Sequence, residues 1–287
     1  MAFIPFGGVF EFGPTTFLGM DVGHHVVDLR VAEADIGILG VLAVGSLSVY
    51  GIAVGGWGSG SKYPLMGAVR ASAQMISYEV ALGLGLLAAI ATAGSVDGQE
   101  FVRHQATTWT IFAGTGLEMH LGWLVFKQPL AALICLVAIF AENNRLPFDL
   151  PEAEPELVGG YHTEYTGLKF AVFFLGEYCA MILMCGLFVT VFLGGWSLPW
   201  SELRIGFGPE PLLTIPGIDP QGTGFGNALA SVLVFGIKLM AVLFFQVWIR
   251  WTLPRFRYDQ LMGLGWKLMV PLALANLVLT AVVLTFV

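Results

Sequence analysis

Apolar residues run through this chain in long blocks rather than in alternation. ADIGILGVLAVGSLSVYGIAVGG, LKFAVFFLGEYCAMILMCGLF and VLVFGIKLMAVLFF are examples, each bounded by short polar stretches. A helix that crosses a bilayer needs about 20 mostly apolar residues at 1.5 Å rise each. Stretches meeting that length fall at residues 34–56, 74–94, 121–142, 167–193, 227–251 and 266–286, six predicted spans. Lys127, Gln128 and Pro129 interrupt the third near its start, which predicts a kink there. These blocks are far longer than the roughly 10-residue alternating segments of a lipid-spanning barrel. The pattern therefore predicts an all-α, polytopic transmembrane helical bundle. Residues 1–33 hold Pro5, Pro14, His24, His25 and several acids, and read as an extramembrane segment before one transmembrane domain over 34–287.

Composition agrees. Of 287 residues, 56% are hydrophobic and only 11% charged, where soluble domains run nearer a quarter. The net charge of −7 argues against nucleic acid, which calls for clustered Lys and Arg. Six spans put both chain ends on one side, leaving loops 57–73, 143–166 and 252–265 on the other. Those loops and their flanks carry Lys62, Arg70, Arg145, Lys169, Arg250, Arg255, Arg257 and Lys267; the opposite loops hold only Arg30, Arg103, Lys127 and Arg204. Basic loops stay cytoplasmic, so 143–166 is predicted to face the cytoplasm. MAFIPFGGVFEFGPTTF lacks the basic start and clean apolar core of a signal peptide.

Several motifs carry no chemistry. GGWGSGSKY has Ser61 before Lys62 and Tyr63 where a phosphate-binding loop needs Ser or Thr. LGLGLL lacks the third glycine of a dinucleotide fingerprint. Cys135, Cys179 and Cys185 sit in apolar runs without metal spacing and read as small core residues. His24, His25, His104, His120 and His162 show no ligand spacing either. Gly51 and Gly55 form a small-xxx-small pair, the pattern of a helix contact.

Ionisable residues inside the spans are the unusual feature. Glu177 lies ten residues into its apolar run, roughly 15 Å along a helix. Glu79 stands near the start of the second span, Glu142 closes the third, and Lys238 interrupts the fifth. Burying such groups costs at least a few kcal/mol, so each is either paired within the bundle or functional, and a water-bridged series forms a proton relay. Lys238 would be a counter-charge to one of the acids. At the cytoplasmic end, LPFDLPEAEPE crowds Asp149, Glu152, Glu154 and Glu156 among apolar residues, with Pro147, Pro151 and Pro155 restricting the backbone. A solvated charge run is the plain reading. The half-apolar, stiffened context points instead to a docking or cavity-lining element.

ENNRLPFDLPEAEPELVGGYHTEYTGLKFAVFFLGEY (142–178) resembles the signature of the quinone-site membrane subunit of respiratory complex I, the NADH–quinone oxidoreductase. SVYGIAVGGWGSGSKYPLMGAVRASAQMISYE (48–79) and RYDQLMGLGWKLMVPL (257–272) match in the same order, so the resemblance covers nearly the whole chain. It implies a helical bundle roofing a chamber entered by ubiquinone or menaquinone. No flavin, cluster or nucleotide would sit on this chain. Flavin and iron–sulfur clusters would lie on partner subunits of the hydrophilic arm, beside antiporter-like and small membrane subunits. By position, Glu79, Glu142 and Glu177 match the family's membrane acids. Asp149, Glu152, Glu154, Glu156 and Glu164 match its acidic loop, Arg145 the arginine expected to partner those acids, and Tyr161 and His162 the element near the cavity. Catalysis is expected of the complex in a bacterial inner membrane, not of the isolated chain.

Departures exist. Pro155 stands where the family more often has a polar residue, and Ser46 where some members carry a glutamate. The resemblance also leads one to expect a first span, an arginine-rich loop and an amphipathic helix ahead of this chain's start. Three other readings stay open on sequence: the homologous subunit of a membrane-bound hydrogenase or a ferredoxin- or F420-linked complex, an independent proton- or cation-coupled transporter, and a purely structural membrane anchor with inert acids.

Overall fold

The computed structural model describes residues 4–12, 15–17, 20–22, 25–31, 36–106, 110–111, 119–120, 122–149, 159–198, 202–205, 213–216 and 225–286. Helices dominate: α1 Gly37–Gly58, α2 Lys62–Ala93, α3 Gly98–Ala106, α4 Leu124–Lys127, α5 Pro129–Glu142, α6 Leu168–Phe192 and α7 Phe225–Thr252. The last, α8 Tyr258–Phe286, is one apolar helix containing a π-type turn at Leu264–Met269. Among the described residues, α1, α2, α6, α7 and α8 are long and apolar enough to cross a membrane. The outcome is the all-α membrane bundle expected from the hydrophobic blocks.

Two helices begin earlier than their apolar cores. The second predicted span, 74–94, ends one residue beyond α2, which starts at Lys62 and is capped by Gly94; the sixth, 266–286, lies within α8, which starts at Tyr258. In α2 the upstream turns bury Pro64, Gly67, Ala68 and Ala71, continuing through Gln74, Met75 and Tyr78 at helical spacing. Pro64 is tolerated because the first turn has no intrahelical acceptor for its missing N–H. The third predicted span, 121–142, corresponds to the 14-residue α5 preceded by the four-residue α4. Pro129 is the cause: it drives Gln128 out of helical geometry, to φ −134° and ψ 65°, and then opens α5 at its first position.

Short antiparallel ribbons lie outside the long helices: Val9–Phe12 with His25–Asp28, Thr15–Phe17 with Met20–Val22, Thr110–Ile111 with Met119–His120, and Glu202–Ile205 with Leu213–Pro216. The sequence reading placed no strands in these segments. Its signal was composition, which says only that they are too polar to span.

The chain forms two compact units. One comprises residues 1–38, 95–129 and 186–240; the other 39–94, 130–185 and 241–287. In the first, the backbone N–H of Gly8 donates to Ser231 Oγ at 3.1 Å, and Arg30 pairs with Asp97 at 3.3 Å. In the second, α1 and α2 approach at Gly56, where a Cβ would fall 2.1 Å from Ala68 Cβ and 2.9 Å from the Pro64 carbonyl oxygen. Only glycine permits that approach. Of the predicted contact pair, Gly55 packs on the Phe173 ring, whereas Gly51 borders open space. Cys135 and Cys185 are buried as expected; Cys179 is exposed.

Candidate functional site

The second unit contains a cavity of about 190 Å³ against α1, the end of α5 and the first half of α6. Glu142, Asn143 and Asn144 reach it from the end of α5, Tyr161 from the 3₁₀ turn Gly160–His162, and Glu177 from α6. Gly51 and Gly176 leave it room, since a Cβ at either position would meet nothing within 4 Å. The sequence put Glu142 and Glu177 in separate spans; the fold places them on one void.

Arg145 sets its Nε 2.9 Å from Glu177 Oε1 and stacks its guanidinium 4.6 Å from the centre of the Tyr178 ring. Both partners are nearly buried, with side chains 10% and 13% exposed. Such a pair is held by short-range attraction in a poorly screened setting, and arginine's flat, weakly hydrated head suits it. Arg145 therefore answers a membrane acid, where the sequence reading had paired it with the acidic loop. Glu142 is buried, and its Oε2 has no hydrogen-bond partner among the described residues. A buried carboxyl oxygen beside a void of this size is suited to a hydrogen-bonded water. Glu79 is half-buried on α2 and is not among the residues lining the cavity.

The residues of loop 143–166 divide. Asp149 is buried and accepts from Arg255 Nη2 at 2.9 Å. Beside that pair, Phe148 sits between Tyr78 and Phe256, with ring centres at 5.7 and 5.6 Å, and the Phe256 N–H donates to the Pro147 carbonyl at 3.1 Å. These contacts fasten residues 147–149 to 255–256. His162 is buried against Tyr161, Phe170, Phe173 and Phe174, and that burial pushes its imidazole down from the ordinary 6.5 to about 4. It is therefore uncharged near neutral pH. Glu164 is exposed in the turn before α6. Glu152, Glu154 and Glu156 lie outside the described residues.

Lys238 departs from its expected role. Its ammonium donates to the carbonyls of Leu193 (2.7 Å), Gly195 (2.9 Å) and Ser197, and lies 4.2 Å from the centre of the Trp123 ring. Its partners among the described residues are carbonyls just beyond the end of α6 and an indole face, not an acid. Gln105 Nε2 donates to two more carbonyls of that end, Thr190 and Val191. The negative end of a helix dipole attracts such donors.

Sequence reasoning missed Gln74, Tyr78, Asn143 and Gln246. Gln74 is fully buried and Tyr78 donates to the Leu261 carbonyl at 2.9 Å, while Asn143 donates to Gln246 at 3.4 Å. The available signal was spacing: Gln74, Ser77 and Tyr78 fall at i, i+3 and i+4, one face of an otherwise apolar helix.

Five long apolar helices, with two carboxyls on one cavity among them, define an integral membrane protein. Residues 1–281 match the NADH dehydrogenase family, and the chain belongs to it. It is 47% identical to NADH-quinone oxidoreductase subunit 8 of Rhodothermus marinus over 256 residues, covering 88% of this chain and 68% of that protein. Against an NADH-quinone oxidoreductase subunit of Bdellovibrio bacteriovorus the identity is 43% over 288 residues, 98% of this chain and 73% of the relative. Against an NADH-quinone oxidoreductase subunit of Geobacter sulfurreducens it is 42% over 286 residues, 100% of this chain and 71% of the relative.

Proposed function

We propose that this chain is the membrane subunit of a proton-pumping NADH–quinone oxidoreductase that borders the quinone chamber and starts the carboxylate path for protons. The names of its relatives support membership of such a complex. One observation supports the finer role: Glu142 and Glu177 meet on a single, partly open cavity, with Arg145 holding one and water-sized space beside the other. A proton can then pass between Glu142 and Glu177 through water rather than through lipid, with Glu79 the next acid of the path.

In this reading Asp149, Glu152, Glu154, Glu156, Tyr161, His162 and Glu164 form the cytoplasmic side of the chamber. Quinone is the substrate there, while flavin and iron–sulfur clusters reside on partners in the hydrophilic arm. Small and antiporter-like membrane subunits continue the path in the inner membrane. Lys238 is left out of the path because its ammonium is engaged by the end of α6.

The test is Glu142→Gln and Glu177→Gln in the assembled complex, reading quinone reduction and proton uptake in vesicles. Both activities should fall by about tenfold or more, the scale of a lost proton-transfer group. Undiminished pumping in assembled variants would end this reading.

A further inference from the structure

We propose that Gln74 is a positioning residue for the proton path, acting through Arg145 and Glu142; the inference rests on the function proposed above. Its amide is fully buried on α2, and its Nε2 donates to the carbonyls of Ala141 at 2.7 Å and Phe148 at 2.8 Å. A third oxygen, Asn144 Oδ1, lies at 3.4 Å. Three surrounding oxygens admit only the NH₂ end of the amide, so its orientation follows from chemistry.

The two carbonyls bracket the residues that matter. Ala141 immediately precedes Glu142, and Phe148 immediately precedes Asp149, with Arg145 on the turn between. Residues 141–148 leave the last turn of α5, where the Ala141 carbonyl also accepts from the Asn144 N–H at 3.3 Å. One side chain thus takes up a helix-end carbonyl and a loop carbonyl together, and sets the turn that carries Arg145 toward Glu177. Neighbours on the same face of α2 brace the arrangement: Met75 Sδ accepts from Asn144 Nδ2 at 3.7 Å, and the Tyr78 ring packs on Phe148. Nothing in this geometry puts Gln74 in contact with quinone or in the relay. Its effect is exerted through groups it holds.

Two substitutions separate positioning from packing. Gln74→Met keeps length and volume and removes both donors. Gln74→Glu keeps the shape, but its ionised form offers only acceptors to three oxygens, while its protonated form restores one donor. Assembled complex is assayed for quinone reduction and pumping from pH 5.5 to 8.5. Arg145→Met serves as reference, and so does the double variant Gln74→Met with Arg145→Met.

Gln74→Met is expected to lower pumping about as much as Arg145→Met, with the double no worse than the poorer single, as for residues acting in one unit. Gln74→Glu is expected to be active toward acid pH and to lose activity toward alkaline pH, relative to the parent. The titrating neighbours Glu142, Asp149 and Tyr78, with Arg145 and Arg255, are common to both chains, so the difference profile reports position 74. The proposal is overturned if Gln74→Met pumps normally, if the two losses multiply, or if the Gln74→Glu profile parallels the parent's. It is equally overturned if neither Gln74 variant assembles while Arg145→Met does, because that outcome assigns the residue to folding alone. If Arg145→Met itself pumps normally, the underlying functional reading fails instead.

Discussion

A buried guanidinium needs an anion, and Glu177 answers Arg145 at 2.9 Å. Removing one member of a buried pair strands the other, whereas removing both leaves no uncompensated charge. Arg145→Met should therefore lower thermal stability in detergent by about 3 kcal/mol, and the double variant Arg145→Met with Glu177→Gln by less. Scanning calorimetry or a dye-free melting assay reads the difference, and a double variant less stable than Arg145→Met would contradict it. His162 gives a pH-dependent counterpart. Its imidazole is ordinary in the unfolded chain, near 6.5, and held down to about 4 when folded. Between those values the unfolded chain binds more protons, so stability falls as pH drops from about 6.5 toward 4. Subtracting the melting profile of His162→Phe from the parent's should isolate that slope, and a flat difference would refute it.

Helix ends explain more of this molecule than helix middles do. The last carbonyls of α6 have no partners within the helix, and Gln105 and Lys238 take up five of those at its end and just beyond. Lys238→Met keeps the apolar stem but loses the charged donor, a change of about 2 kcal/mol for a hydrogen-bonded cation. Faster amide exchange at residues 189–197, with α2 unaffected, is the expected result. The α1–α2 contact depends on shape instead. At Gly56 even a Cβ would overlap Ala68, so Gly56→Leu should force the helices apart and prevent assembly, seen as loss of the chain from purified membranes. The boundaries of α2 and α8 differ from their apolar cores for a related reason. Lipid composition selects the apolar core of a span, but tertiary burial lets the helix continue beyond it.

For the whole chain, the distribution of Lys and Arg predicts that loop 143–166 faces the cytoplasm, and this is directly testable. Thr163 is exposed in the turn before α6. A cysteine there, in a Cys179→Ser background, should react with an impermeant maleimide in inverted vesicles and not in intact cells; the reverse pattern would invert the topology. The spans were legible because lipid imposes a local rule: some 20 consecutive residues must be apolar, whatever lies elsewhere in the chain. Glu142 and Glu177 stood out for the same reason, as charges where that rule disfavours them. Their partners were hidden. Arg145 looked like a loop residue awaiting loop acids, Lys238 looked like a counter-ion, and Gln74 was passed over. Pairing depends on which distant segments meet: Gln74 reaches Phe148 across 74 positions, and Asp149 reaches Arg255 across 106. Hydrophobicity acts without direction and leaves a linear trace. Hydrogen bonds and ion pairs need their atoms within about 3 Å, a condition that only the packed chain meets.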